Sequence, residues 1–160
     1  MNAADLIVED DSWSAIKGKT RLINEALAAA REHLDEARPG AIAILLSSDD
    51  AIAELNQRFR QREGATNVLS FPAPDAGSDN HLGDIALAWG VVSREAQTRG
   101  LDIADHLRHL VIHGYFHLQG LDHQNDAEAE HMEGLERRAL ADLGVADPYA
   151  AETTLDQTEI

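Results

Sequence analysis

Apolar residues in the first third of the chain recur either at helical spacing or in short unbroken runs. The stretch LIVED near the N-terminus predicts a short strand, and residues 20–37 carry apolar side chains three and four positions apart, which predicts an amphipathic helix. A Pro-Gly pair stops that helix. The run AIAILLS at 41–47 has the length of a buried strand, and Ser48 with its following acids caps a predicted helix that reaches about Arg60.

The middle of the chain predicts two further strands. NVLSF at 67–71 and LGDIALAW at 82–89 have the apolar and β-branched content of buried strands. The intervening segment, PAPDAGSDNH at 72–81, predicts a loop from its Pro, Gly, Asp and Asn content.

Helical patterns dominate the remainder of the chain. Residues 93–99 form one such pattern, which ends at Gly100, and Asp102 caps a second helix over 103–119. A third amphipathic helix spans about 126–143 and ends at a glycine. Since strands are grouped early and helices late, we predict an α+β fold in which a small mixed sheet packs against helices.

Length and composition suit one globular domain, with 160 residues of which 44% are hydrophobic. We expect this single domain at residues 1–146, followed by an acidic, flexible tail at 147–160. No apolar run approaches the length of a membrane span, and the N-terminus lacks the basic start and apolar centre of a signal peptide. We therefore expect a cytoplasmic protein with no membrane partner.

The charge is strongly acidic, with 13 Lys and Arg against 29 Asp and Glu and a formal net charge of -16, which should repel polyanions over most of the surface. The segment 57–70 differs, because it carries Arg58, Arg60 and Arg62 against Glu63 alone. Two interpretations are open. An isolated trio of this kind usually lies at a solvated helix end, where it suits the helix dipole, but it could also form a local phosphate-binding surface.

Three histidines lie within the segment HGYFHLQGLDH, at 113–123. His113 and His117 are four residues apart and project from one face of the predicted helix. Gly120 can end that helix in a left-handed conformation, so that the chain reverses and His123 returns to the same point. With no cysteine in the chain, a transition metal needs His, Asp or Glu ligands. The motif predicts a metal site, with zinc first, whose fourth position is free for water as in catalytic zinc sites.

The same spacing occurs in metzincin proteases, HExxHxxGxxH, where the glutamate after the first histidine is the general base. Gly114 occupies that position here, and Met132 follows within a predicted helix rather than at an evident Met-turn. Peptide hydrolysis by the usual mechanism therefore lacks its base. An anionic phosphodiester attacked by a water that zinc has acidified stays open as an alternative.

Three stretches closely resemble the YbeY family of bacterial endoribonucleases and ribosomal RNA maturation factors. They are LNQRFRQREGATNVLSFP (55–72), LGDIALA (82–88) and HLRHLVIHGYFHLQGLDH (106–123), and the resemblance covers about 40–143. It implies a zinc-dependent, single-strand-specific endoribonuclease in small-subunit ribosomal RNA maturation and ribosome quality control. Its implied partners are ribosomal RNA and the small ribosomal subunit, with a ribosomal protein or GTPase as a further candidate.

The resemblance also implies roles for individual residues. His113, His117 and His123 match the family's metal ligands, and Arg60 matches its functionally important arginine. This chain has Phe59 where the family usually has tyrosine. We hypothesise that Arg60 stabilises the charge that develops on the phosphate in the transition state.

Three residues keep alternative interpretations. Asn67 replaces the aspartate of many family members, a variant we expect to be tolerated. Asp84 either faces solvent on an edge strand or faces the site, and His109 is either a core or surface histidine, the preferred interpretation, or a proton relay or substrate contact. Two alternative functions also stay open, a zinc hydrolase acting on another substrate class and a non-catalytic ribosome-assembly factor with a structural metal.

Overall fold

A computed structural model describes residues 4–74 and 80–149, which form a four-stranded sheet with helices on both faces. The strands lie in the order β1, β2, β4, β3, in which β1 and β4 are each parallel to β2 and β3 is antiparallel to β4. Their bounds are β1 (Asp5–Val8), β2 (Ala41–Ser47), β3 (Val68–Pro72) and β4 (His81–Ala88). The predicted α+β fold with a mixed sheet is confirmed.

Five α-helices and a short 3-10 helix, Asp11–Ala15, accompany the sheet within the described ranges. The α-helices are α1 (Lys19–Glu32), α2 (Asp49–Arg60), α3 (Trp89–Arg99), α4 (Ile103–Leu118) and α5 (Asp126–Asp142). No helix in this part of the chain combines the length and apolar character needed to cross a lipid bilayer.

The alternating side chains of the strands divide the core between the two faces of the sheet. Ile44 of β2 and Ile85 of β4 belong to the larger cluster, which α1, α4 and α5 complete. Leu69 and Ala86 point to the opposite face, where Ile52 of α2 covers them. Because side chains alternate along a strand, neighbouring residues of β3 face α4 and α2 in turn.

Several predicted boundaries agree with the structure and one differs for a tertiary reason. Ser48 caps α2, and the Asp102 carboxylate caps α4 by accepting from the backbone N–H of Ala104 at 2.8 Å. Helix α3, however, begins at Trp89 and not at 93, so the strand predicted at 82–89 ends one residue early. The Asp49 carboxylate of α2 accepts from the Val91 N–H at 3.0 Å, which supplies a cap that the local sequence does not contain.

Other predictions were less complete. Helix α1 ends at Glu32, short of the predicted 37, and the 3-10 helix was not predicted. Residues 75–79 of the predicted loop and residues 150–160 of the predicted tail lie outside the described residues. The start of that tail contacts α5, because Asp147 pairs with Arg137 at 3.1 Å, and the flexibility of the rest stays a prediction.

Gly114 lets α4 approach the sheet closely. Its carbonyl accepts a hydrogen bond from the Ser70 hydroxyl of β3 at 3.2 Å. A Cβ atom at this position would lie 3.0 Å from the Ile85 side chain and 3.1 Å from the Ser70 Oγ. The residue that separates this motif from the protease motif is therefore a glycine for a packing reason.

We predict that Gly114→Ala is less stable than the matched variant Gly134→Ala by about 1–3 kcal/mol in free energy of unfolding, the usual cost of overpacking. Both substitutions lie inside α-helices and gain the same helix propensity, but a Cβ at Gly134 has no heavy atom within 4 Å. Urea unfolding of the two variants measures the difference. Equal stabilities would contradict the predicted cost and would show that the side chains of Ile85 and Ser70 shift to accommodate the added methyl group.

Candidate functional site

The end of α4 brings the three histidines of the motif together. Gly120 has a φ of 92°, its N–H donates to the His117 carbonyl at 3.0 Å, and the Leu121 N–H donates to the Phe116 carbonyl at 3.0 Å. These two bonds are those of a Schellman motif, which closes the helix and reverses the chain. The reversal places His123 beside the two helical histidines, as the sequence predicted.

The geometry of the three imidazoles fits a single metal ion. One ring nitrogen from each of His113, His117 and His123 lies within 4.8 Å of the other two. The Nε2 atoms of His113 and His117 are 3.1 Å apart. Two ligands at zinc-to-nitrogen distances of about 2.0–2.1 Å with tetrahedral angles would be separated by about 3.3 Å. His113 and His117 therefore already have the spacing of two ligands of one ion, and with His123 the group could hold a metal.

The protonation of His117 also suits metal binding. Burial lowers the pKa of its imidazole, and the nearby charges of His113 and His123 lower it further. The neutral form of the ring is the one that binds a metal.

A buried carboxylate that the sequence did not predict fixes the orientation of His113. Glu136 of α5 has 0% of its surface exposed, and its Oε2 lies 2.9 Å from the His113 Nδ1. Burial alone would raise the pKa of Glu136, but hydrogen bonds from His109 and His113 lower it to about 2. An ionised carboxylate only accepts, so His113 donates from Nδ1. In the neutral ring, Nε2 then carries the free lone pair and points to the other two histidines.

Two further groups donate to the same carboxylate. The His109 Nε2 lies 2.7 Å from the Glu136 Oε1, and the Tyr149 hydroxyl donates to that oxygen at 2.5 Å. His109 is 8% exposed and is therefore a core residue, one of the two locations in the preferred interpretation. Tyr149 lies beyond α5, in the segment predicted to be a tail.

The position of Glu136 in the sequence could have indicated that its side chain is buried. Met132, Leu135, Ala139 and Leu140 form the buried stripe of α5, and Glu136 falls on that stripe. An acid among apolar positions of an amphipathic helix indicates a buried charge, which needs donors from elsewhere in the fold.

The histidines lie on one side of a groove of about 740 Å³. The turn after α4, residues 120–124, completes that side, and the free edge of β3 forms the other. Arg60 and Arg62 line the groove, whereas Arg58 does not. The structure thus brings Arg60 and the three histidines to one concavity from parts of the chain about 50 residues apart.

Arg60 is held at the edge of β3. Its guanidinium donates to the Ser70 carbonyl at 2.6 Å, and its Cζ lies 5.7 Å from the centre of the Phe71 ring. Among the described residues, neither Arg60 nor Arg62 has a carboxylate within salt-bridge distance. In the described ranges the groove therefore presents two arginines without an ion-pair partner and one acidic residue, Asp122, on a chain with a net charge of -16.

The two remaining open residues, Asp84 and Asn67, differ in their relation to the groove. Asp84 does not line the groove, and its Oδ1 lies 2.8 Å from the His81 Nε2. It is not on an edge strand, since β4 lies between β2 and β3. Asn67 lines the groove, and its amide donates to the Glu95 carboxylate at 3.0 Å. Glu95 also contacts His106, at 2.9 Å from the Nε2.

We predict a pH-dependent stability difference between the wild type and Glu136→Gln, both free of metal. Since the folded-state pKa of Glu136, about 2, lies below its ordinary value of 4.5, the ionised carboxylate stabilises the folded state above pH 4.5. This contribution is lost as the pH falls from 4.5 toward 2. The variant should be less stable at pH 7 by up to roughly 3 kcal/mol, and the difference should shrink in acid.

Denaturant unfolding between pH 7 and pH 3 measures this difference. Glu130→Gln is the matched control, because Glu130 is an exposed glutamate on the same helix. A stability difference for Glu136→Gln that stays constant with pH would contradict the assignment of an ionised carboxylate.

Comparison with known proteins agrees with the resemblance noted in the sequence. Residues 8–144 match the family model described as Endoribonuclease YbeY. A Maricaulis maris protein named Endoribonuclease YbeY is 63% identical over 152 residues, which cover 95% of this chain and 94% of that protein. The Azorhizobium caulinodans protein of the same name is 46% identical over 154 residues, covering 91% and 95%. A solution structure of a Thermotoga maritima protein has the same fold, with a TM-score of 0.54 at 22% identity over 91% of this chain and 97% of that one. The chain belongs to the YbeY family.

Proposed function

We propose that the chain is a zinc-dependent endoribonuclease that cleaves single-stranded RNA during maturation of small-subunit ribosomal RNA. One observation carries the proposal: three convergent imidazoles line the same groove as an arginine that has no carboxylate partner in the described part of the chain. The names of the relatives support the activity, since they are called endoribonucleases. The arrangement suits a phosphodiester, which needs both a site for attack and a cation for its charge.

His113, His117 and His123 would hold the metal. The donor set consists of nitrogen atoms only, which suits zinc, and three protein ligands leave a coordination position for water or substrate. When bound, zinc would lower the pKa of water and polarise a phosphoryl oxygen. Glu136 contributes by holding the His113 ring, so that its Nε2 faces the metal position without a change of rotamer.

Arg60 would bind the scissile phosphate. Its guanidinium has five N–H donors, of which one is engaged by the Ser70 carbonyl. That bond and the contact with the Phe71 ring fix the position of the charge before substrate arrives. A cation fixed in this way stabilises the charge that develops in the transition state without a cost of reorganisation.

The net charge does not oppose this role. Over most of the surface the net charge of -16 repels RNA, while the groove presents Arg60 and Arg62. Charges separated by more than about 8–10 Å are largely screened at physiological salt, so a bound phosphate responds mainly to the local arginines.

The cellular setting is proposed from the family resemblance. We place the activity in the cytoplasm, on ribosomal RNA within the small ribosomal subunit, and in ribosome quality control. A ribosomal protein or a GTPase is the proposed protein partner.

We predict that Arg60→Gln and His117→Ala both lose cleavage of a labelled single-stranded RNA, for different reasons. Arg60→Gln should retain stoichiometric zinc and lower kcat/KM by about 10²- to 10³-fold, as removal of a transition-state contact does. His117→Ala should lose zinc as well as activity. Arg58→Gln is the matched control, because it removes an arginine from the same helix end, outside the groove.

Zinc content by mass spectrometry and cleavage at fixed salt provide the two measurements. Equal losses of kcat/KM for Arg58→Gln and Arg60→Gln would show that activity depends on positive charge in general and not on a specific contact between Arg60 and the phosphate. Full activity of Arg60→Gln with none for His117→Ala would favour a zinc hydrolase of another substrate class. Stoichiometric zinc with no RNA cleavage by the wild type would favour an assembly factor with a structural metal.

A further inference from the structure

Phe59, at the last turn of α2, exposes 61% of its surface. Among the described residues it is the one aromatic side chain in the set of exposed large hydrophobic residues. Its ring meets the Phe71 ring edge to face, with centroids 5.7 Å apart and an angle of 68° between the planes. Phe71 therefore holds Phe59 in a defined orientation while a large part of the Phe59 ring stays open to solvent.

Phe59 belongs to a second concavity that continues the groove. This concavity has a volume of about 420 Å³ and is lined by Phe59, Arg60, Arg62, Ser70, Phe71 and Pro72. Four of these residues, Arg60, Arg62, Ser70 and Pro72, also line the groove that contains the histidines. The two concavities are thus joined along a shared border.

The shared border is the free edge of β3. Ala88 donates its N–H to the Asn67 carbonyl and Ala73 donates to the Leu82 carbonyl, so alternate residues from Asn67 bond with β4. Ser70 falls between them, and its carbonyl points outward to Arg60. Phe71 faces the α2 side of the sheet and Ser70 the α4 side. An extended ligand that leaves the histidines across this edge passes Arg60 and reaches Phe59.

The charge around this path favours an anionic ligand. No acidic side chain lines the second concavity, and Arg60 and Arg62 have no carboxylate within salt-bridge distance in the described ranges. An open aromatic ring next to such arginines suits single-stranded RNA, because the bases stack on the ring while the phosphates contact guanidinium groups. An apolar protein segment would use the ring but would give no role to Arg62.

We infer that Phe59 forms a stacking subsite for one unpaired nucleobase of the RNA, a nucleotide or more away from the scissile phosphate. Phe71 positions the Phe59 ring, and Arg62 contacts the phosphate between the stacking subsite and the three histidines. The inference rests on the proposed function and explains how the site selects single strands, since a base within a duplex has no free face for Phe59.

The test uses the zinc-loaded full chain and a short single-stranded RNA with 2′-methoxy groups, in which one nucleotide at a time is replaced by an abasic residue. Equilibrium binding is measured for the wild type and for Phe59→Ala, Phe59→Leu and Phe59→Trp. Ile7→Ala serves as the control, because Ile7 is an exposed apolar residue on β1. Cleavage of the unmodified RNA is followed in parallel, and urea unfolding checks that each variant is folded.

Phe59→Ala should weaken binding by about 5- to 150-fold, the range for loss of one stacked base, and the loss of activity should fall on KM. Phe59→Leu should be as weak as Phe59→Ala, and Phe59→Trp should restore affinity. An abasic residue at one position should weaken the wild type by a similar factor and should have no further effect in Phe59→Ala. This non-additivity assigns the base to the ring.

The other outcomes distinguish failure of the stacking subsite from failure of the proposed function. If the wild type cleaves RNA but Phe59→Ala binds as tightly as the wild type, the subsite is wrong and the proposed function stands. If Phe59→Leu restores affinity, the surface binds apolar groups in general and fits a protein partner better. If the wild type binds with the predicted abasic pattern but cleaves nothing, the subsite stands and the catalytic proposal fails. Absence of any RNA binding by the wild type overturns both.

Discussion

The ionised carboxylate of Glu136 lies in the interior, where a charge without partners would be strongly unfavourable. It is tolerated because three donors reach it, from His109 and His113 on α4 and from Tyr149 beyond α5. The same bonds fix α5 against α4 and determine which nitrogen of His113 faces the other histidines. The fold and the candidate metal site therefore depend on one set of hydrogen bonds. A substitution at Glu136 would affect both the packing of α5 on α4 and the orientation of His113.

Helix α4 connects this interior network to the surface. Its His109 and Gly114 face the core and the sheet, while His113 and His117 face the groove. The close approach at Gly114 sets the distance from the histidines to β3, and the Ser70 carbonyl at the edge of β3 holds the guanidinium of Arg60 from α2. Cation and imidazoles are thus placed on opposite sides of one groove by the packing of a helix on a strand. Within the described residues, Arg60 and Arg62 have no carboxylate within salt-bridge distance and outnumber Asp122, the one acid that lines the groove. The groove is therefore less acidic than the protein as a whole, which favours an anionic ligand.

The parts of the structure that follow local rules were predictable from the sequence. The four-residue spacing of His113 and His117, the glycine at 120 and the caps at Ser48 and Asp102 act within a few residues, and each agrees with the structure. The family resemblance pointed to Arg60 as a functional residue. Spacing along the sequence alone could not show that Arg60 lies in the same groove as the histidines. The roles of Arg60 and of the three histidines, His113, His117 and His123, in catalysis stay proposals.

What could not be predicted depends on contacts between distant segments. Glu136 is 23 residues from His113 and 27 from His109, and its environment exists only once α5 packs on α4. The early start of α3 depends on the cap that Asp49 supplies to Val91, 42 residues away. Whether Asp84 lies on an edge strand could be decided only from the strand order, which places β4 inside the sheet. A local pattern can indicate that Glu136 is buried, but it does not identify the distant residues that pair with it.

X-ray absorption spectroscopy at the zinc edge of the zinc-loaded protein measures directly which ligands surround the metal. We expect one zinc per chain with three imidazole nitrogens at about 2.0–2.1 Å and one further light ligand from water. Fewer than three imidazoles would contradict the assignment of His113, His117 and His123 as the ligands. A fourth ligand from the protein would close the site and contradict a catalytic role for the metal.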